Sequence, residues 1–233
     1  MASTPAPALS GSLPFAVTLT AVAGFADAHI FLNVVEVFVA NQSGNLVLLG
    51  MGVGEGRWSA ALRHAVAIVA FAFGVAVVTR IYEWRRRSGQ RLRPDLVLGT
   101  EALLLLLVTG WIALVDDSGA SIVVYPVLVV GAFAMGLQTA ALLRVGAVAV
   151  ATTYATGSVA RLGSEGALAL EPSDSPDTRA HRRSLVVLVS IVAAYAGGAA
   201  LAAWAGAADA WLLIPVVVLV AAAVIHHRDL PPV

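Results

Sequence analysis

Six long apolar runs constrain this chain more than any other feature. A helix that crosses the hydrocarbon core of a bilayer needs about 20 mainly apolar residues. The runs cover residues 13–31, 60–82, 96–115, 122–143, 185–205 and 210–225. Only 12% of all residues are charged, too few for the surface of a soluble enzyme or nucleic-acid-binding protein of this length. The sequence therefore predicts an all-α integral membrane protein with six transmembrane helices.

Two further segments, 37–54 and 148–163, are apolar at both ends and polar at the centre. The first reads VFVANQSGNLVLLGMGVG and the second VAVATTYATGSVARLG. Each segment can cross the membrane fully, which gives eight spans. Alternatively, each can be a broken, re-entrant element that enters and leaves on the same side, which gives six.

The arginines favour re-entry for the second segment, because short cytoplasmic loops collect basic residues. If segment 148–163 re-enters, twelve arginines lie on one side and only Arg57 and Arg63 on the other. If it crosses fully, the division is seven against seven. The first segment is not constrained in this way, because no arginine precedes it.

An internal repeat supports breaking the first segment as well. With three spans and one broken element in each half, the second half must be inverted, as in many transporters. We divide the chain into a tail (1–12), a first repeat (13–118), a second repeat (119–228) and a C-terminal tail (229–233), with both termini cytoplasmic. The matches are Ser43-Gly44-Asn45 with Thr156-Gly157-Ser158 at an offset of 113, and Gly24-Phe25-Ala26-Asp27 with Gly136-Leu137-Gln138-Thr139 at 112.

The stretches around these matches also resemble a known family. GFADAHIFLNVVEVFVANQSGNLVLLG and AMGLQTAALLRVGAVAVATTYATGSVARLG are similar to the YoaK-like bacterial multi-pass membrane proteins, a family of unknown function. The resemblance extends over nearly the whole chain. It implies an integral membrane protein with about six spans, and it implies no substrate.

The polar centres and the helix ends before them predict a central binding site. Non-helical backbone survives at membrane depth only inside protein or beside a wet cavity. Short helices starting near Ser43 and Thr156 would aim backbone amides at the midplane, where they favour anions. The alternative is that these small polar residues are helix-packing contacts. The candidate substrate-binding residues are Asp27, Asn41, Ser43, Gly44, Asn45, Gln138, Thr139, Thr153, Thr156, Gly157 and Ser158.

Among the titratable residues, Asp27 predicts proton or cation coupling, because a carboxylate inside a span is costly and marks function. The alternative for Asp27 is an interfacial cluster near the outer headgroups. We expect His29, Glu36 and His64 to be interfacial. Glu101 is expected to pair with a neighbouring arginine.

These features together favour a transporter or channel for a small polar or anionic solute in the bacterial inner membrane. The alternative is a non-transporting scaffold or lipid-interaction protein. A membrane-embedded enzyme is disfavoured, because the chain has no Gly-x-Ser-x-Gly elbow and no phosphate-binding loop. We expect no cofactor, no metal and no nucleic-acid partner. A homo-oligomer remains open.

Overall fold

A computed structural model describes residues 10–115, 121–141, 144–145, 148–149, 155–170 and 175–228, and within these ranges the chain forms eight α-helices. They are α1 (Leu13–Asn33), α2 (Gln42–Gly54), α3 (Trp58–Arg87), α4 (Pro94–Leu114), α5 (Ser121–Ala141), α6 (Ala155–Ala169), α7 (Pro176–Ala205) and α8 (Leu213–Arg228). A short 3₁₀ turn (Asp209–Leu212) precedes α8. Strand β1 (Ser10–Gly11) pairs in parallel with β2 (Arg144–Val145), which pairs antiparallel with β3 (Val148–Ala149).

Five of these helices, α1, α3, α4, α5 and α7, are long and apolar enough to cross a membrane. The apolar part of α8 is shorter, at Leu213–Ile225. All six lie where the sequence predicts a span, so the protein is a helical membrane protein. Helix α7 begins nine residues earlier than the apolar run, because Ser175 caps it by accepting the Thr178 amide hydrogen and Pro176 suits its first turn.

Helix α1 packs along α7, and α3 packs along α5. Helix α4 lies against α5 and α8, while the shorter α2 and α6 lie on α3 and α7, respectively. The two helices α1 and α7 run in the same direction. The Asn33 side chain at the end of α1 lies 3.4 Å from the carbonyl oxygen of Gly206, which ends α7.

Two glycines bring α1 and α7 into backbone contact. A Cβ atom added at Gly24 would overlap the carbonyl oxygen of Tyr195. In return, a Cβ atom at Gly198 would overlap the carbonyl oxygen of Ala21. Small residues at such positions allow helices to approach closely in a membrane. Each helix of the pair therefore needs its own glycine.

The same reciprocal contact recurs between α3 and α5. A Cβ atom at Gly74 would overlap the carbonyl oxygen of Phe133, and one at Gly136 would overlap that of Phe71. The α5 residues follow the corresponding α1 residues by 112 positions, which is also an offset of the predicted repeat. The α7 residues follow the corresponding α3 residues by 124 positions. The contact of α1 with α7 and that of α3 with α5 therefore use the same reciprocal arrangement of glycines.

The glycine contact can be tested with two adjacent residues. We expect Gly198→Ala to destabilise the protein by about 1–3 kcal/mol, the usual cost of overpacking. Gly197→Ala is the matched control, because a Cβ atom at Gly197 meets nothing within 4 Å, and alanine favours the helix. Thermal unfolding in detergent measures both. Equal melting temperatures for the two variants would contradict the close approach of α1 and α7.

Candidate functional site

Four donors converge on the buried carboxylate of Asp27. Its Oδ1 atom accepts the backbone N–H groups of Val39 at 2.7 Å and Ala40 at 2.6 Å. Its Oδ2 atom accepts the N–H group of Asn41 at 2.9 Å and the hydroxyl of Tyr195. The residue is only 2% exposed. An ionised carboxylate, which only accepts hydrogen bonds, satisfies all four donors.

These bonds fold the chain after α1 back into the protein. Asp27 lies six residues before the end of α1, which is about 9 Å along the helix axis. Residues 34–41 are not helical and return to this depth, where α2 begins at Gln42. Gly44 therefore lies in the first turn of α2. The predicted broken element is a non-helical stretch with several bends followed by one helix, and the helix is not interrupted at Gly44.

Asn41 explains where α2 begins. Its side-chain oxygen accepts the N–H group of Gly44 at 3.2 Å and the hydroxyl of Ser43 at 2.8 Å, which is the geometry of a helix N-cap. Its own backbone N–H group points to Asp27. Ser43 itself is exposed.

Asn45 holds the non-helical stretch 34–41 against α2. Its Oδ1 atom accepts the N–H group of Phe38 at 3.0 Å, and its Nδ2 atom donates to the Phe38 carbonyl at 2.6 Å and to the Gln42 side chain at 2.9 Å. The Nδ1 atom of His64 lies 3.3 Å from the same Oδ1 atom. Asn45 is completely buried. It therefore ties residues 34–41 to both α2 and α3.

The anion position before α2 is thus filled by the protein itself. The sequence predicts that the first amides of a helix starting near Ser43 face a solute. In the structure the three amides immediately before α2, those of Val39, Ala40 and Asn41, bind Asp27, and the Gly44 amide is capped by Asn41. A carboxylate at a helix N-terminus also interacts favourably with the helix dipole. Of the predicted residues in this half, Asp27, Asn41 and Asn45 join α1, α2 and α3 into one unit.

In the second half, Gln138 contacts α1. Its Nε2 atom donates to the carbonyl of Leu19 at 3.0 Å, two turns before Asp27, and the residue is fully buried. Thr139 donates its hydroxyl to the Met135 carbonyl of its own helix at 2.8 Å. Thr156 and Gly157 lie in the first turn of α6, Ser158 follows and is buried, and Thr153 lies outside the described residues.

A cavity of about 280 Å³ lies beside residues 34–41, between the end of α1 and the beginnings of α3 and α5. Its titratable lining consists of Glu36, Arg57, Arg63 and His64. Arg57 also pairs with Glu55 at 2.6 Å. We did not predict this site. The available signal was that Arg57 and Arg63 stand apart from the twelve other arginines.

The environment predicted for Glu101 is wrong, and the two histidines are buried within the protein. His29 and His64 are 0% and 5% exposed, while their position at the membrane interface stays a prediction. Each lies on a helix face that packs against other elements, which hydropathy alone does not reveal. Glu101 is fully buried, and neither of its carboxylate oxygens has a hydrogen-bond partner among the described residues, so it is not paired with an arginine there.

The Asp27 contacts predict that Asp27→Asn will loosen residues 39–41. Asparagine keeps the size but turns one acceptor oxygen into a donor. The loss of one charge-assisted hydrogen bond costs about 1.5–3 kcal/mol. We expect roughly tenfold or greater acceleration of hydrogen exchange at the amides of Val39, Ala40 and Asn41, measured by mass spectrometry.

Two further variants make this measurement specific. Tyr195→Phe removes a single donor and should produce a smaller acceleration at the same amides. Glu36→Gln is the control, because Glu36 is exposed on the same stretch. Unchanged exchange in Asp27→Asn would show that Asp27 does not hold this stretch.

Comparisons with known proteins agree with a membrane assignment. The chain is 29% identical over 147 residues to the UPF0700 transmembrane protein YoaK of Bacillus subtilis (strain 168). That alignment spans 62% of this chain and 62% of the length of YoaK. No solved structure matches the chain. A family model described as "protein of unknown function (DUF1275)" matches residues 15–226, and the protein belongs to that family.

Proposed function

We propose that the protein is a secondary transporter or channel for a small polar or anionic solute. The observation that carries this proposal is the non-helical stretch 34–41, held inside the helix bundle next to a cavity lined by charged side chains. Transporters of several folds bind their substrates where a helix is interrupted. Arg63 lines this cavity and forms no salt bridge among the described residues, so it favours an anion, whereas Arg57 pairs with Glu55 and Glu36 adds a negative charge.

An inverted repeat is part of the proposal. The cavity is lined by Phe31 near the end of α1 and by Val124 near the beginning of α5. These equivalent helices therefore run in opposite directions, as inversion requires. The reciprocal glycine contacts join the halves through equivalent positions. We infer six spans, with α2 and α6 as the re-entrant elements.

A chain of contacts links the cavity to the other half of the molecule. His64 lines the cavity and contacts Asn45, which binds the backbone of Phe38. The stretch that follows is bound to Asp27, whose fourth donor is Tyr195 on α7. A solute that displaces His64 would change the contact between α1 and α7. This supports a mechanism in which solute binding moves the two halves relative to one another.

We also propose proton coupling through Asp27. A protonated carboxyl group carries a donor and no negative charge, so it cannot hold all four present donors. Protonation would turn the Tyr195 hydroxyl from donor to acceptor and remove the charge that strengthens the three amide bonds, so residues 39–41 would be held more weakly. The expected pH effect is a loss of this attachment as the pH falls. A metal or cation is not required for this step.

The second half of the proposed repeat has no carboxylate at the position that corresponds to Asp27. Thr139 stands at the repeat position of Asp27, and Gln138 at that of Ala26. No carboxylate from this position neutralises the amino end of α6. We propose that Thr153, Thr156, Gly157 and Ser158 there contribute to solute binding, with Gln138 and Thr139 on the preceding helix.

The alternative is a non-transporting scaffold or lipid-interaction protein, and uptake into proteoliposomes distinguishes the two. We expect saturable uptake of at least one small anion from a panel of formate, acetate, lactate, glutamate, sulfate and phosphate. A pH gradient should stimulate this uptake. Arg63→Gln should reduce it about tenfold, because one charge-assisted contact with the solute is lost.

Arg80→Gln is the matched control, because Arg80 is exposed elsewhere on the same helix. Uptake by this variant should equal that of the unmodified protein. Asp27→Asn should remove the response to the pH gradient. The proposal that this cavity binds a transported anion is contradicted if no solute on the panel accumulates above empty liposomes. It is also contradicted if Arg63→Gln and Arg80→Gln give the same uptake.

The proposed topology places both termini and the turn between α3 and α4 in the cytoplasm of a bacterial inner membrane. The chain has no cysteine, so single cysteines can be labelled in intact cells without a background. A membrane-impermeant maleimide should label Glu55→Cys and should not label Ser88→Cys or Ser173→Cys. If the reagent labels both Ser173→Cys and Glu55→Cys but not Ser88→Cys, segment 148–163 crosses the membrane fully.

A further inference from the structure

A second cavity, of about 300 Å³, lies at the opposite end of α3. It is a groove between α3 and α4, closed at its base by Phe133 and Leu137 of α5. Its walls are mainly apolar. Its mouth lies at the turn between α3 and α4, where Arg85 and Arg93 contribute to the lining.

The α3 side of this groove changes from apolar to cationic along one helix face. Val78, Ile81, Tyr82 and Arg85 follow one another at steps of three, one and three residues, so their side chains lie on the same face. From Val78 to Arg85 this face is about 10 Å long. A phospholipid has the same arrangement, with apolar chains below an anionic phosphate. Basic pockets between transmembrane helices bind such headgroups.

Arg85 is the available cation at the mouth. Arg93 is already neutralised, because its Nε and Nη2 atoms donate to the Asp95 carboxylate at 2.9 and 2.7 Å. One Nη atom of Arg85 donates to the carbonyl of Arg91 at 3.1 Å, and no carboxylate of the described residues forms a salt bridge with Arg85. A guanidinium carries five N–H donors, so most of those of Arg85 can serve a ligand.

Tyr82 adds a second donor beside it. Its hydroxyl oxygen is buried and has no hydrogen-bond partner among the described residues. Burial of a hydroxyl without a partner is unfavourable. Tyr82 precedes Arg85 by three residues on the same face, so one acceptor group can bind both side chains.

We propose that this groove binds an anionic phospholipid of the bilayer. The phosphate lies between the Arg85 guanidinium and the Tyr82 hydroxyl, and one acyl chain lies along α3 towards Val78. The neighbouring Arg86 and Arg87 do not take part. They are exposed, and their side chains bind Glu83 at 2.8 and 2.7 Å.

Native mass spectrometry of the detergent-purified protein tests the site. Phosphatidylglycerol and phosphatidylcholine with identical acyl chains serve as probes. We expect tighter binding of phosphatidylglycerol, and a roughly tenfold loss of its affinity in Arg85→Gln, since one charge-assisted contact is removed. Tyr82→Phe should weaken binding about threefold. Thr100→Trp, which places bulk in the groove, should weaken binding of either lipid.

Arg87→Gln is the matched control, because it removes an equal charge at the last residue of α3 without altering the groove. Its affinity for phosphatidylglycerol should stay within twofold. Equal losses in Arg85→Gln and Arg87→Gln, or equal binding of the two lipids, would overturn the proposal. So would displacement of phosphatidylglycerol by millimolar inorganic phosphate, because the site would then bind a free anion. None of these measurements needs a transported solute, so a negative uptake result leaves them interpretable.

Discussion

The carboxylate of Asp27 determines the arrangement of the first half of the molecule. Inside a membrane the backbone amides of a non-helical stretch need acceptors, because no water is present to bind them. Asp27 supplies acceptors for three consecutive amides, and the charge it brings is stabilised by those amides, by the Tyr195 hydroxyl and by the amino end of α2. Two groups that would each be unstable alone in hydrocarbon thus satisfy one another. The position of residues 39–41 and the start of α2 directly after them follow from this pairing.

The hydrogen bond between Asp27 and Tyr195 depends on the glycine contacts between α1 and α7. Tyr195 can reach Asp27 because its backbone carbonyl lies against Gly24, one turn earlier on α1. In the corresponding contact between α3 and α5, Phe71 takes the position of Tyr195 and Thr139 takes the position of Asp27. The two contacts therefore share their backbone geometry and differ in polarity. One contact includes a buried hydrogen bond between Asp27 and Tyr195, and the other is held by packing.

The sequence predicts the helices well, because hydropathy and length reflect the bilayer directly. It also predicts a polar interruption before α2, since Asn41, Ser43, Gly44 and Asn45 are residues of caps and turns. It does not reveal what these side chains bind. Asn45 pairs with Phe38, seven residues away, and Asp27 pairs with Tyr195, 168 residues away. Such partners depend on how helices pack, and a composition rich in alanine, valine and glycine offers many packings. Burial of His29, His64 and Glu101 escapes sequence reasoning for the same reason.

The asymmetry between the halves bears on how a solute could pass. If both re-entrant elements were neutralised by their own carboxylates, neither helix start would attract an anion from solution. In this chain the first element is closed by Asp27, whereas Thr139 offers a hydroxyl, already donated to Met135, at the equivalent position. In the proposed mechanism, the first half has an internal carboxylate that binds protons, and the second half leaves the start of α6 for a ligand. Coupling and binding would thus be divided between the two halves, and the contact of α1 with α7 is where one half can act on the other.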